Sequence, residues 1–191
     1  AYSQNYDGSS GTVVIGHNAG YHNVTGVNNT YLGKGSGLGA SGQSNSYNTA
    51  VGANALTAVT TGGSNVAIGN DSAVSITDGH NNVAIGNNAL EAAVSVGYAV
   101  AIGNDAMVNG NATAAADGTI AIGASAGAAL VSSQGTTAIG YRALAAEDDG
   151  DFSTAVGYDA LFSQTGTSGD VYNTAVGYKA GTAITTGINN T

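Results

Sequence analysis

No cysteine, proline or tryptophan occurs in this chain of 191 residues, and only Lys34, Arg142 and Lys179 are Lys or Arg. Without cysteine there is no disulfide framework and no thiolate metal site. Charged residues make up 8% of the chain, against about 25% in a typical globular domain. Low charge often points to a membrane, yet no run approaches the ~18 apolar residues of a spanning helix. Acids outnumber bases to a net charge of −9, and such a surface repels phosphate. Neither nucleic acid nor direct membrane insertion is therefore expected. No charged stretch followed by an apolar run opens the chain, so no signal peptide is visible. No segment keeps the 3.6-residue apolar rhythm of a helix past two turns.

What the chain does have is glycine, 31 residues of it, and a period. A branched aliphatic residue stands directly before each of Gly16, Gly33, Gly52, Gly69, Gly86, Gly103, Gly123, Gly140, Gly157 and Gly177. The spacings are 17, 19, 17, 17, 17, 20, 17, 17 and 20 residues. Three before each of these glycines the residue is Val, Ile or Thr. Between those two positions it is Ala in eight of ten repeats, with Val14 and Tyr31 as the exceptions. Three after the glycine it is Ala or Ser throughout.

This is a period-2 strand with two unlike faces. The reading drawn from it puts the β-branched face in a core and the Ala/Gly face where another backbone approaches closely. Each repeat holds a second Val/Ile/Thr-rich piece, such as "LTAVTTG" at 56–62, "AVSITDG" at 73–79 or "GTAITTG" at 181–187. One repeat therefore reads as strand, turn, strand, turn. So short a unit buries nothing alone and must stack on its neighbours. The expected fold is all-β, a parallel β-roll or β-solenoid with one coil per ~17 residues, forming a single repeat domain over 1–191. Ten coils at ~4.8 Å make a rod roughly 48 Å long. The longer spacings read as turn insertions, "NGNATAAADG" at 109–118 and "SQTGTSGDVY" at 163–172. The segment "AGYHNVTGVNNT" at 19–30 returns as "AGTAITTGINNT" at 180–191. With no capping repeat at either end, the expectation is a section of a longer fibre.

The segments "NVAIGNNAL" (82–90), "NVAIGNDSA" (65–73) and "TIAIGASAG" (119–127) resemble the head repeats of trimeric autotransporter adhesins. The variant "NTAVGYKAG" (173–181) is similar to repeats of phage tail-fibre and other surface-fibre proteins. The resemblance spans about residues 12–191. It implies a left-handed roll, a homotrimer around one axis, an extracellular place on a virion or bacterial surface, and attachment to a host or cell-surface glycan or protein receptor. The period departs from the roughly 14-residue unit common in adhesin heads. In a trimeric roll the small Ala/Gly face would suit the axis, although the sequence alone also allows the reverse.

Several residue columns are candidates for chemistry. Asn29, Asn48, Asn65, Asn82 and Asn173 stand four before the glycine, where stacked amides would form a structural ladder. The position after the glycine gives Asn70, Asn87 and Asn104, then Tyr141, Tyr158 and Tyr178. Because tyrosine offers a stacking surface with a polar handle, this is the candidate surface-binding strip. The cluster Glu147, Asp148, Asp149 and Asp151 is a weak candidate for calcium, which takes several carboxylate oxygens; a solvated acidic turn is the plainer reading. His17, His22 and His80 fall in different repeats without a metal-site pattern. The "GKGSG" stretch at 33–37 lacks the ending of a phosphate loop. "NVT" at 23–25 and "NAT" at 111–113 fit the short glycosylation pattern. No catalytic or cofactor-binding group is expected.

The function read from this is a non-enzymatic structural and adhesive rod whose many weak contacts sum by multivalency. The alternative is a polysaccharide-binding or -degrading tailspike-like segment, which would need acids converging in a groove. A remoter one is an ice-binding solenoid. It would need an exposed Thr ladder, whereas the face assignment above puts the repeated Thr inside.

Overall fold

A computed structural model describes residues 11–109, 116–165 and 169–191. The chain winds as a parallel β-solenoid. Ten three-residue strands form one sheet: β1 (Val13–Ile15), β2 (Thr30–Leu32), β3 (Thr49–Val51), β4 (Val66–Ile68), β5 (Val83–Ile85), β6 (Val100–Ile102), β7 (Ile120–Ile122), β8 (Thr137–Ile139), β10 (Thr154–Val156) and β12 (Thr174–Val176). They pair in chain order and in the register of the repeat, as Val83↔Val100, Ala84↔Ala101 and Ile85↔Ile102 do. About nine turns separate the first strand from the last, a rise of about 43 Å at strand spacing. Two short strands, β9 (Gly150–Asp151) and β11 (Gly169–Asp170), pair in a second sheet. Of the two longer turn insertions, residues 110–115 and 166–168 lie outside the described residues.

The faces are the reverse of the sequence expectation. The middle residue of every strand points inward: Ala50, Ala67, Ala84, Ala101, Ala121, Ala138 and Ala155 are all fully buried. The flanking Val, Ile and Thr point outward, half-buried where coils stack on both sides and more open at the two ends, with Val13 51%, Ile15 53% and Val176 69% exposed. The reason is the bulk supplied from the other side of the coil. Leu56, Leu90, Met107, Leu144 and Leu161, four residues after their glycines, fill the interior together with Val59, Ile76 and Leu130. Against those side chains the strand has room only for a methyl group. Tyr31 tests this rule. It replaces Ala and is fully buried, and it fits because Gly20 and Gly37 stand where other coils carry larger residues. A Cβ on Gly37 would lie 2.4 Å from the Tyr31 ring.

The close approach expected at the repeated glycine does occur, but within the chain, from one coil to the next. A Cβ on Gly86, whose φ is +139°, would lie 2.3 Å from the Gly103 carbonyl oxygen. The second strand expected in each coil is absent at 56–62, 73–79 and 181–187. Those pieces are turns. Residues two and four after the glycine take left-handed conformations, as Asn88 (φ 53°) and Leu90 (φ 57°) do. Turn N–H groups still bond to the next coil, Leu90 N to Ala106 O at 2.9 Å and Thr77 N to Val94 O at 2.9 Å. Coil-to-coil pairing thus continues around the turn without an extended backbone.

Candidate interaction surface

The sheet turns outward a face two side chains wide and ten strands long. One column reads Val13, Thr30, Thr49, Val66 onward, the other Ile15, Leu32, Val51, Ile68 onward. No charged residue stands in either column. At about 7 Å between the columns and about 43 Å of length, this apolar strip covers roughly 300 Å² before its flanks are counted. That already matches the largest patch of an ordinary monomer.

Beneath the N-terminal end of each strand runs the amide ladder. Asn48 accepts from the Asn65 backbone N–H (2.9 Å) and Asn65 from that of Asn82 (3.1 Å). Asn29 and Asn82 extend the ladder to the Asn48 and Ala99 backbone N–H groups, each at 2.9 Å. Each side-chain N–H₂ donates to a turn carbonyl, Asn65 to Gly79 at 2.9 Å and Asn82 to Val96 at 2.7 Å. Asn173 repeats the arrangement with Gly187 and Asn190 near the C-terminus. All five amides are buried. Between the two runs Thr119 and Thr136 substitute, their hydroxyls donating to Ser133 O and Gly150 O.

The strip after the glycine flanks the apolar face on its C-terminal side. Tyr141, Tyr158 and Tyr178 stack, with ring centroids 5.0 and 5.4 Å apart and planes 29° and 30° from parallel. Their faces lie largely against one another, so edges and hydroxyls are what the column turns outward. Arg142 anchors it. Its guanidinium grips Asp159, itself 4% exposed, through two bonds of 2.8 and 2.9 Å and lies 4.6 Å over the Phe162 ring. The Asp159 carboxylate holds the Arg142 proton more tightly than usual. Lower in the rod Asn70 donates to Asn87 (3.3 Å), while Asn70 and Asn104 also bond Asp71 and Asp105.

The acidic cluster does not converge. Glu147 is fully buried and accepts from Gly150 N (2.7 Å) and from Gln164 (2.5 Å), in a core place that other coils give to Val59 or Ile76. Asp151 turns to Gln134 N (2.6 Å), Asp149 to the Ser132 hydroxyl, and Asp148 is exposed. Among the described residues no group of three or more His, Asp or Glu is placed to hold a metal ion. His22 meets Tyr21 edge-on, and His80 meets Tyr98. Asn23 is buried and donates to Gly26 O, so it is no exposed glycosylation acceptor. The other such triplet, 111–113, lies outside the described residues.

A second aromatic column escaped the sequence reading. Tyr47, Tyr98, Phe152 and Tyr172 each stand five before their glycine, on the N-terminal side of the apolar face. All are exposed, and all have positive φ, between 52° and 63°. A bulky residue there costs about 1–2 kcal/mol relative to glycine, and other coils put Asn28, Asn81, Gly118 or Gly135 at this place. Phe152 and Tyr172 stack at 5.4 Å with planes 12° apart. The Tyr172 hydroxyl donates to Asp170 (2.8 Å), which raises its pKa. The signal was in the sequence, as a fixed offset from glycine, but an intermittent one.

No family model matches the chain, and no curated protein or solved structure matches it either.

Proposed function

We propose that the chain is a non-enzymatic section of an adhesive fibre, in which three copies stand parallel around one axis with their Val/Ile/Thr faces turned inward. The observation that carries this reading is the uncharged outward face. It runs the length of the rod, and in one copy alone its side chains are half-buried in the middle coils and exposed at the ends. Geometry supports three copies. From five before the glycine to one after it the face is at most about 20 Å wide, the extended length of that stretch. A triangular prism of that side has its walls about 6 Å from the axis, near half the ~10 Å spacing of packed sheets. A square arrangement would leave a hollow. The face, at most about 20 by 43 Å, is of the same order as the ~800 Å² per partner of a stable interface. The Ala face cannot serve at the axis, because it is each coil's own interior.

In this reading the rod projects attachment sites away from a virion or bacterial surface, and repetition along three chains gives avidity for a glycan or protein receptor. That part rests on the repeat resemblance. Light scattering should give about three times the 18.4 kDa chain mass. Ile85→Lys with Ile102→Lys should yield monomers that keep the circular dichroism of the wild type. A monomeric wild type overturns the proposal.

One observation favours a second reading. Thr30, Thr49, Thr137, Thr154 and Thr174 face outward in one column, where an ice-binding solenoid would need them. The other five coils put Val or Ile there. Thermal hysteresis from a monomeric chain would select this reading.

A further inference from the structure

We infer that neighbouring chains join edge to edge along the apolar face. The edge after the glycine on one copy meets the edge before the strand on the next, coil against the same coil, most strongly in the last three coils. This inference rests on the three-chain reading above. Rotation about a three-fold axis turns every sheet in the same sense. The C-terminal edge of one sheet therefore meets the N-terminal edge of the next at the same height.

The two edges differ in ways that suit such a meeting. Every Lys and Arg of the chain lies on the C-terminal edge, where Asp71, Asp105 and Asp159 also stand: Lys34 follows Gly33, and Arg142 and Lys179 stand two after their glycines. In the last coils Arg142 neutralises Asp159, which leaves Lys179 exposed beside the Tyr178 ring, 5.3 Å from its centroid. The N-terminal edge there carries acids alone, Asp149, Asp151 and Asp170. Asp170 and Lys179 belong to one coil, so the symmetry sets Asp170 of one copy beside Lys179 of the next.

The aromatics follow the same division. Phe152 and Tyr172 on the acidic edge occupy the coils of Tyr158 and Tyr178 on the cationic edge. Phe152 and Tyr172 are 40% and 48% exposed in one copy, so a ring from the neighbouring copy would take them out of water. Opposed rings, flanked by opposite charges, would seal the corners of the prism against water and fix the vertical register of the chains.

The test uses the chain's lack of cysteine. Asp170→Cys with Lys179→Cys places one thiol on each edge. Within one copy the two positions lie beyond opposite ends of β12, nine residues apart in the chain, and a link closed inside one copy would still run as a monomer. Mild oxidation should yield a covalent trimer on a non-reducing denaturing gel, reversed by thiol. Asp117→Cys with Lys179→Cys, on the same edges but three coils apart, should stay uncrosslinked. Equal cross-linking in both pairs overturns the register. A trimer by light scattering with no cross-link overturns the edge pairing, leaves the three-chain reading standing, and frees the edges for a receptor. A monomer by light scattering overturns both, and a gel ladder that stops at dimer overturns the three-fold form. As an independent measure, Asp170→Lys should weaken assembly about tenfold and Lys179→Asp in the same chain should restore it; failure to restore would count against the pairing.

Discussion

Gly86→Ala puts the coil-to-coil contact at the repeated glycine to a quantitative test. The residue has φ +139°, and an added Cβ would stand 2.3 Å from Gly103 O and 2.6 Å from its carbonyl carbon. Two penalties combine. A side chain in that backbone region costs about 1–3 kcal/mol, and forcing a methyl against a packed backbone costs about 1–3 kcal/mol more. Gly177 separates them. Its φ is +133°, but the nearest atom to its Cβ would be that of Ala180, at 3.9 Å. Gly86→Ala should therefore cost about 2–6 kcal/mol and Gly177→Ala only about 1–3 kcal/mol. At this length each kcal/mol lowers the melting temperature by about 2–4 °C. Urea titration followed by circular dichroism gives the totals. Because solenoid coils couple to nearest neighbours, amide exchange at Gly69 and Gly103 should show the loss centred on the mutated coil. Equal destabilisation by the two substitutions would refute the coil contact as the reason for glycine and leave only the backbone angle.

Three further outcomes follow from the interior. Asn65→Leu strands the Asn82 N–H and the Gly79 carbonyl, which should cost about 3 kcal/mol in a urea titration. Asn65→Thr should cost less than half as much, because Thr119 and Thr136 already serve this column. Burial pushes the Tyr31 phenol well above its ordinary value. The folded chain then keeps a proton that the unfolded chain releases above about pH 10, so this contribution is full below pH 10 and falls as pH rises beyond it. Relative to Tyr31→Phe, the wild type should lose about 1.4 kcal/mol per pH unit there; parallel curves would refute it. Arg142→Met leaves the buried Asp159 carboxylate without its fork. Solvent around the guanidinium keeps the loss small, a slight fall in melting temperature that Asp159→Asn in the same chain should largely recover.

The winding was legible because it depends on spacing alone. The offsets from Gly16 to Gly177 set the strand register residue by residue, and the Asn column marked its ladder. The turns were harder to read. "LTAVTTG" and "AVSITDG" look like strands because Val and Thr favour them, but Leu56 and Ala73 sit at φ 56° and 51°. Neither is a residue type that signals a left-handed turn. Coil stacking overrides their local preference, since the turns are hydrogen-bonded to one another from coil to coil. The aromatic edge at Phe152 and Tyr172 was hidden for a related reason: its position tolerates Gly, Asn, Ser or a ring, so no single repeat displays it.

The face assignment failed on a different point. Hydrophobicity alone puts Ile85 inside and Ala84 outside, because in a monomer the larger apolar group gains more from burial. The contrary signal lay in another column. Leu56, Leu90, Met107, Leu144 and Leu161 recur four after the glycine, and the strand opposite them must be small if both are to share one narrow coil. Tyr31 between Gly20 and Gly37 is the decisive exchange, since a large residue is admitted to the strand only where its neighbours shrink. Once Ala84 and its equivalents are inside, the Ile85 column is covered only in part, by the like side chains of the coils on either side. In the three-chain reading proposed above, that apolar column is what meets the neighbouring copies, which is why its residues are large although they face outward.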